Sequence, residues 1–454
     1  VRHYIGSLVL ASFCAVFLSL SGVPAQAAVF HPETYTLANG MQVVIVKNRL
    51  SAAVAQMVWI KTGAADDPAG HSGLAHYLEH MMFKGTATLP TGGFSALIAA
   101  QGGEENAFTT HDTTAYHEVI AADRLGLVMA LEADRLHALR FAPDEAKSEL
   151  AVVMSERQER TDNEPQGIFW EKMAAALYGA HPYGRPVIGW QNEIASITPD
   201  DARAFYRQAY APDNAILVVS GNVETQDVLR LASGTFGRLA SAGDVAPRKV
   251  KPLRFAPASP KPQKVEMHDP RVTQPIWVRQ ILLPQVKADS RLSFALDVLS
   301  EILSSGEVGL LHRHFVMEKQ TASAMAASYD SVRRGPVSFS LTAVPAPQAD
   351  PHKLEKEIDV YLQALAKRGF SAAEIGAAQR RLEDAAIFAR DRLMAPAQIL
   401  GEALAVGQTM SSVEDWPDHI RAVTPADVSI ALRTLLASPH AVTGLLAPAK
   451  GASE

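Results

Sequence analysis

Two long stretches of this sequence occur twice, and the repetition constrains the fold more than any other feature. "FAPDEAKSELAVVMSERQER" from Phe141 is echoed by "FSAAEIGAAQRRLEDAAIFAR" from Phe370. "ITPDDARAFYRQAYAPDNAILVVSGNV" from Ile197 is echoed by "VTPADVSIALRTLLASPHAVTGLLAP" from Val423. Phe370 follows Phe141 by 229 residues and Val423 follows Ile197 by 226. Offsets so large and so nearly equal describe one fold used twice, not a solenoid of short repeats. A chain of 454 residues is in any case too long for one core.

The boundary between the copies is legible. "SAGDVAPRKVKPLRFAPASPKPQK", residues 241–264, holds five prolines and several basic residues, a composition that favours an extended linker. Domains are therefore expected at 28–240 and 265–454. Within each, strand and helix patterns are mixed. The β-branched runs flanking Asn39-Gly40 predict a hairpin. "AAVAQMVWIKTG" and "AILVVSGNV" read as strands. The spacing predicts helices over 72–83, 122–139 and 143–160. Thr198-Pro199-Asp200-Asp201 predicts a helix start with Thr198 as its cap. Each half reads as α+β, with helices packed on a largely antiparallel sheet.

The first residues have a different character. Arg2, an apolar run from Ile5 to Leu20, and Ala25-Gln26-Ala27 follow one another in the order of a secretory signal, residues 1–27, cut before Ala28. The competing reading is a membrane anchor, because the run nearly spans a bilayer. No second long apolar run follows, so no membrane attachment is expected after cleavage. Bacterial periplasm is the expected location. The sole cysteine, Cys14, lies in this segment, which leaves residues 28–454 without a disulfide or a thiol ligand. A net charge of −6 without basic clusters gives no sign of nucleic-acid binding.

Chemistry concentrates in "HSGLAHYLEHMMFKGT", His71 to Thr86. On a helix, His76 and His80 project from one face a turn apart and can reach one zinc ion. Glu79 lies on the flank of that face, placed to take a proton from a zinc-bound water whose pKa the metal lowers to about 7. His-x-x-Glu-His is a metallopeptidase signature. The bland alternative is two surface histidines beside a carboxylate. A catalytic zinc needs a third protein ligand. Glu149 and Glu156 share a helix face but stand two turns, roughly 10 Å, apart. One can be the ligand and the other an acceptor that orients a histidine. The residues themselves do not rank the two.

Together these residues resemble the pitrilysin and insulinase family of zinc peptidases, which includes the mitochondrial processing peptidase. The likeness spans nearly the whole chain after residue 28, most specifically Gly63 to Pro165. "GLAHYLEHMMFKGT" matches the family's motif almost residue for residue. The resemblance implies a third ligand 76 residues beyond the second histidine, which is Glu156, and a supporting role for Glu149. "GGEENAFTTHDTTAY" from Gly102 is similar to the family's edge strand, where peptide substrates are laid down as an added strand. Asn106, Ala107 and Phe108 are the implied substrate contacts, although the same glycines would suit a structural hairpin. Opposite the metal motif the second half reads "DVLSE", Asp297 to Glu301, and opposite Glu156 it has Ala385. One zinc per chain is implied.

There is one departure. The family's arginine and tyrosine, seven residues apart and aimed at the transition-state oxyanion, fall here on Val316 and Ser323. The resemblance offers two explanations. The chain is the catalytic subunit of a heterodimer whose homologous zinc-less partner supplies the pair, with a homodimer as a variant. Otherwise it is a non-catalytic zinc-binding scaffold or assembly protein.

Overall fold

The computed structural model describes residues 29–240, 249–255 and 261–449. The expected signal segment, and residues 241–248 and 256–260 of the expected linker, lie outside them. Among the described residues no helix is long and apolar enough to cross a membrane.

Two sheets organise the chain, and both are mixed with antiparallel pairs predominating. The first contains β1 (Glu33–Thr36), β2 (Gln42–Lys47), β3 (Ala53–Ile60), β4 (Glu104–Thr109), β5 (Thr114–Ala121) and β6 (Ala215–Gly221), in the order β1-β2-β6-β3-β5-β4. The second contains β7 (Gln263–Asp269), β8 (Ile276–Leu283), β9 (Ala322–Asp330), β10 (Val337–Pro345) and β11 (Ala441–Pro448), in the order β7-β11-β8-β10-β9. One parallel pair occurs in each, β2 with β6 and β7 with β11. From β2 and from β7 onward the two orders are the same. Each half ends on an exposed edge, β4 in the first and β9 in the second. β7 begins at Gln263, two residues inside the expected linker, because its main chain pairs with β11 from Val442 onward.

Helices follow the same duplication. The first half has α1 (Leu74–Met81), α2 (Gly93–Ala100), α3 (Leu125–Ala138), α4 (Pro143–Arg157) and α5 (Pro165–Tyr178). In the second, Arg291–Leu303 occupies the place of α1, Ala372–Asp391 that of α4 and Ala395–Ala405 that of α5. Helices Pro199–Ala209 and Pro425–Ala437 both open with a capping box. In each the threonine hydroxyl (Thr198 or Thr424) accepts from the aspartate N–H three residues on, and the aspartate accepts from the threonine N–H.

Two helices differ from the spacing-based expectation. α3 is preceded by a 3₁₀ turn at Ala122–Arg124. α4 gives way after Arg157 to a π-helical turn, Gln158–Asp162. The 3₁₀ turn tightens the hydrogen-bonded ring by a residue and the π turn widens it by one.

β3 explains how the halves join. Successive side chains of a strand face opposite ways, so Val58 and Ile60 enter the core beneath α1 and α3. Met57 and Trp59 meet Ala397 and Leu400 of helix Ala395–Ala405, which comes from the other half. The exchange is reciprocal: α5 lays Phe169 and Met173 on Val278, Val442 and Leu446 of the second sheet. Both contacts depend on a glycine. A Cβ on Gly401 would lie 2.1 Å from Trp59 Nε1, and one on Gly444 2.4 Å from Met173 Sδ.

Candidate metal centre and substrate groove

α1 is held at its start by a carboxylate. Asp67 accepts from the N–H groups of Gly73 and Ala75, both at 2.8 Å, which satisfies donors that a helix leaves free. Its burial raises the carboxyl to about 7, against the pull of those two hydrogen bonds. Gly73 has φ +89°, and a side chain there would strike Ile188 O at 2.4 Å. The Gly-Leu-Ala start of the motif therefore fixes both the axis of α1 and its distance from the loop at 188–189.

On that helix the imidazoles of His76 and His80 lie edge to face, ring centres 4.8 Å apart. α4 brings Glu156 to them. Its Oε2 is 3.2 Å from His80 Nε2 and 3.8 Å from His76 Nε2. One ligand atom from each of the three residues falls within 4.8 Å of the other two, the only such trio among the described residues. Ligand atoms about 2.1 Å from a tetrahedral ion stand about 3.4 Å apart. The donor set, two neutral imidazoles and a carboxylate, therefore fits a zinc ion in size and kind.

Glu149 lies on the far side of His80. Its Oε1 is 2.8 Å from His80 Nδ1, and its other oxygen is paired with Lys84. A neutral His80 that donates from Nδ1 keeps its Nε2 lone pair turned toward Glu156, the arrangement of an orienting carboxylate behind a ligand histidine. Burial opposes ionisation of Glu149, but the bonds from His80 and Lys84 prevail and its carboxyl is lowered. Burial, with the His80 and Arg160 charges, lowers His76 to about 3, so this ring is neutral at physiological pH. Burial also works against charge on His80, yet the Glu149 hydrogen bond and the carboxylates of Glu156, Glu149 and Glu79 raise it. A divalent cation would have to displace that proton.

Glu79 reaches the opposite wall. Thr109, the last residue of β4, donates its hydroxyl to Glu79 Oε2. Burial raises the Glu79 carboxyl, and the threonine only partly offsets this. A cavity of about 580 Å³ lies between the two walls, with His76, Glu79, His80 and Glu156 on one side and Asn106, Ala107, Phe108 and Thr109 on the other. β4 pairs with β5 along one edge, from Glu104↔Val119 to Thr109↔Thr114, and its other edge is open. The structure thus brings together all eight residues singled out from the sequence, with Glu149 just behind the cavity.

Three further residues were not singled out. Arg160, in the π-helical turn, places Nη1 2.6 Å from Glu156 Oε1. Its spacing of four from Glu156 is an ion-pair signal that was present in the sequence. Thr109 directly follows Phe108 in the "GGEENAFTTHDTTAY" stretch. Lys84 carried no local signal.

Comparison with known proteins identifies the family. Residues 42–190 match the model of the insulinase peptidases, family M16, and residues 196–382 match the peptidase M16 inactive domain. The chain belongs to the insulinase (M16) family. Among M16 relatives, the zinc protease PqqE of Helicobacter pylori is 31% identical over 369 residues, 81% of this chain and 82% of that protein. The crystal structure of a protease from Helicobacter pylori superposes with a TM-score of 0.85 at 26% identity, covering 92% of this chain and all of the other. The periplasmic protease PqqL of Escherichia coli shares the fold, with a TM-score of 0.77 at 22% identity. There the match covers 91% of this chain and 47% of PqqL.

Proposed function

We propose that this chain is the metal-bearing subunit of a zinc-dependent endopeptidase. The observation that carries the reading is the convergence of Glu156 Oε2 on both imidazoles, with Glu149 holding the back of His80. His76, His80 and Glu156 would hold one zinc per chain. When bound, the ion supplies Lewis-acid polarisation of a carbonyl and acidifies water. The open edge of β4 would bind an extended peptide by main-chain hydrogen bonds, with side-chain contacts from Asn106 to Phe108. Glu79, its carboxyl raised by burial, takes a proton from the attacking water and returns it to the leaving amine. Thr109 keeps that carboxylate aimed at the groove.

The reading includes a partner. Val316, in the π-helical segment His312–Glu318, has no side-chain donor, and Ser323 is a short hydroxyl on the exposed edge strand β9. A homologous zinc-less subunit would bring the oxyanion donors. A second copy of this chain is the weaker variant, because it lacks the same donors. We also propose export to a bacterial periplasm, supported by the order of charge, apolar run and small residues in 1–27. The missing pair also fits a second, weaker reading, a zinc-binding scaffold without catalysis.

Purified protein should contain about one zinc per chain by elemental analysis. Mixed with the homologous zinc-less chain of the same organism, it should cleave a quenched peptide library, and Glu79→Gln should abolish cleavage while retaining the metal. A zinc-loaded pair that cleaves nothing would favour the scaffold. Cleavage undiminished in Glu79→Gln would sink the mechanism.

A further inference from the structure

A cavity of about 310 Å³ lies in the second half at the counterpart of the metal site, with Val29 and Phe30 of the first half closing part of its wall. Helix Arg291–Leu303 supplies Asp297 to its wall where α1 supplies His76, and helix Ala372–Asp391 supplies Ala385 where α4 supplies Glu156. Glu301, the counterpart of His80, is turned away into contacts with Arg381 and Ser305. A metal set is therefore gone, and what replaces it is mostly hydrocarbon: Phe294, Leu382, Ala386, Val413 and the ring of Trp416.

Asp297 is the exception. Its Oδ2 accepts from the Trp416 indole N–H at 3.1 Å. Among the described residues Oδ1 has no hydrogen-bond partner, and no lysine, arginine or histidine pairs with the carboxylate. Burial, only partly offset by Trp416, raises its carboxyl to about 7. Asp297 is half-buried, with Oδ1 open to the cavity, and a carboxylate in so apolar a wall gains from a cation or donor that meets it. Such an arrangement repels anions and gains nothing from a plain hydrocarbon. Gln408 and Ser412, which also line the cavity, donate to the backbone carbonyls of Ser331 and Thr409, so the group best matched to Asp297 is an ammonium on an apolar body. The volume is at the small end of ligand sites, enough for a single ring on a short chain.

We propose that this cavity binds a small apolar primary amine, with its ammonium on Asp297 and its hydrocarbon against Phe294, Leu382 and Trp416. The site is separate from the metal centre and does not depend on catalysis. Isothermal titration of the full chain with 2-phenylethylamine and with its neutral analogue 2-phenylethanol tests it at pH 7.5. The amine should bind saturably at one per chain, at least tenfold tighter than the alcohol. Asp297→Asn should remove that preference, and Ala386→Phe, which fills the cavity, should abolish binding of both. Equal affinity for amine and alcohol, an amine affinity unchanged by Asp297→Asn, or no saturable heat with the wild-type chain would each overturn the assignment. If Asp297→Asn does not fold, the amine-to-alcohol ratio and Ala386→Phe decide alone.

Discussion

The two halves share an order of strands and helices but treat one helix face in opposite ways. On α1, His76, Glu79 and His80 face a groove and are served by Glu149, Glu156, Lys84 and Thr109. On helix Arg291–Leu303 the same places hold Asp297, Ser300 and Glu301, and the long helix opposite presents alanines, Ala378 and Ala385. The capping boxes at Thr198 and Thr424 survive in both halves. Backbone satisfaction is needed wherever the fold is built, whereas a ligand set is needed only where an ion is to be held. Fold and chemistry have thus been retained independently within one molecule.

The sharpest way to break that contrast is to compare counterparts. Glu79→Gln should lower peptide cleavage by the proposed assembly about 10²–10⁴-fold, the range for loss of a general base. Its counterpart Ser300→Ala, which removes only a hydroxyl bonded to Ala327 O at 3.3 Å, should leave the rate unchanged. Both are read from initial rates at matched zinc content. Next in size, Glu149→Ala should weaken zinc about 10–100-fold in a chelator competition, because His80 loses its orienting acceptor. Undiminished affinity would mean that Glu149 is a bystander.

Two glycines compare the crossed contacts between halves. Gly401→Ala should destabilise by about 3 kcal/mol in urea unfolding, since Trp59 is rigid and fixed by its indole bond to Ala397 O. Gly444→Ala should cost less, about 2 kcal/mol, because the thioether of Met173 can swing aside. The reverse order would show that the Phe169 side of the contact is the stiffer one. Smallest of all, Thr198→Ala and Thr424→Ala should each cost about 1 kcal/mol. The two values should agree closely, because the capping geometry is the same in both halves.

Much of this was legible in the sequence, for local reasons. The Asn39-Gly40 hairpin, the apolar β-branched runs of β3 and β6 and the Thr198 cap each depend on a few adjacent residues, and each forms as expected. Choosing Glu156 over Glu149 was not local. The two share a helix face, and only a long spacing shared with relatives distinguished them. In space the distinction is plain: one carboxylate reaches both imidazoles and the other stands behind His80. The π-helical turn that positions Arg160 has no sequence signature, since it answers to packing around 158–162. Nor does alternation in β3 say which helix covers its outer face. Asp297 registered in the sequence only as a missing ligand, because the cavity beside it is made by helices from distant parts of the chain.

That crossed cover bears on how the protein is made. The outer face of β3, with Met57 and Trp59, is sealed by residues 395–405, more than three hundred positions later in synthesis. Until that helix emerges, the first sheet presents an unsheltered apolar surface, the kind of surface on which nascent chains aggregate or recruit chaperones. The chain is therefore expected to mature in one late, concerted step, and a fragment ending after the first half would be sticky.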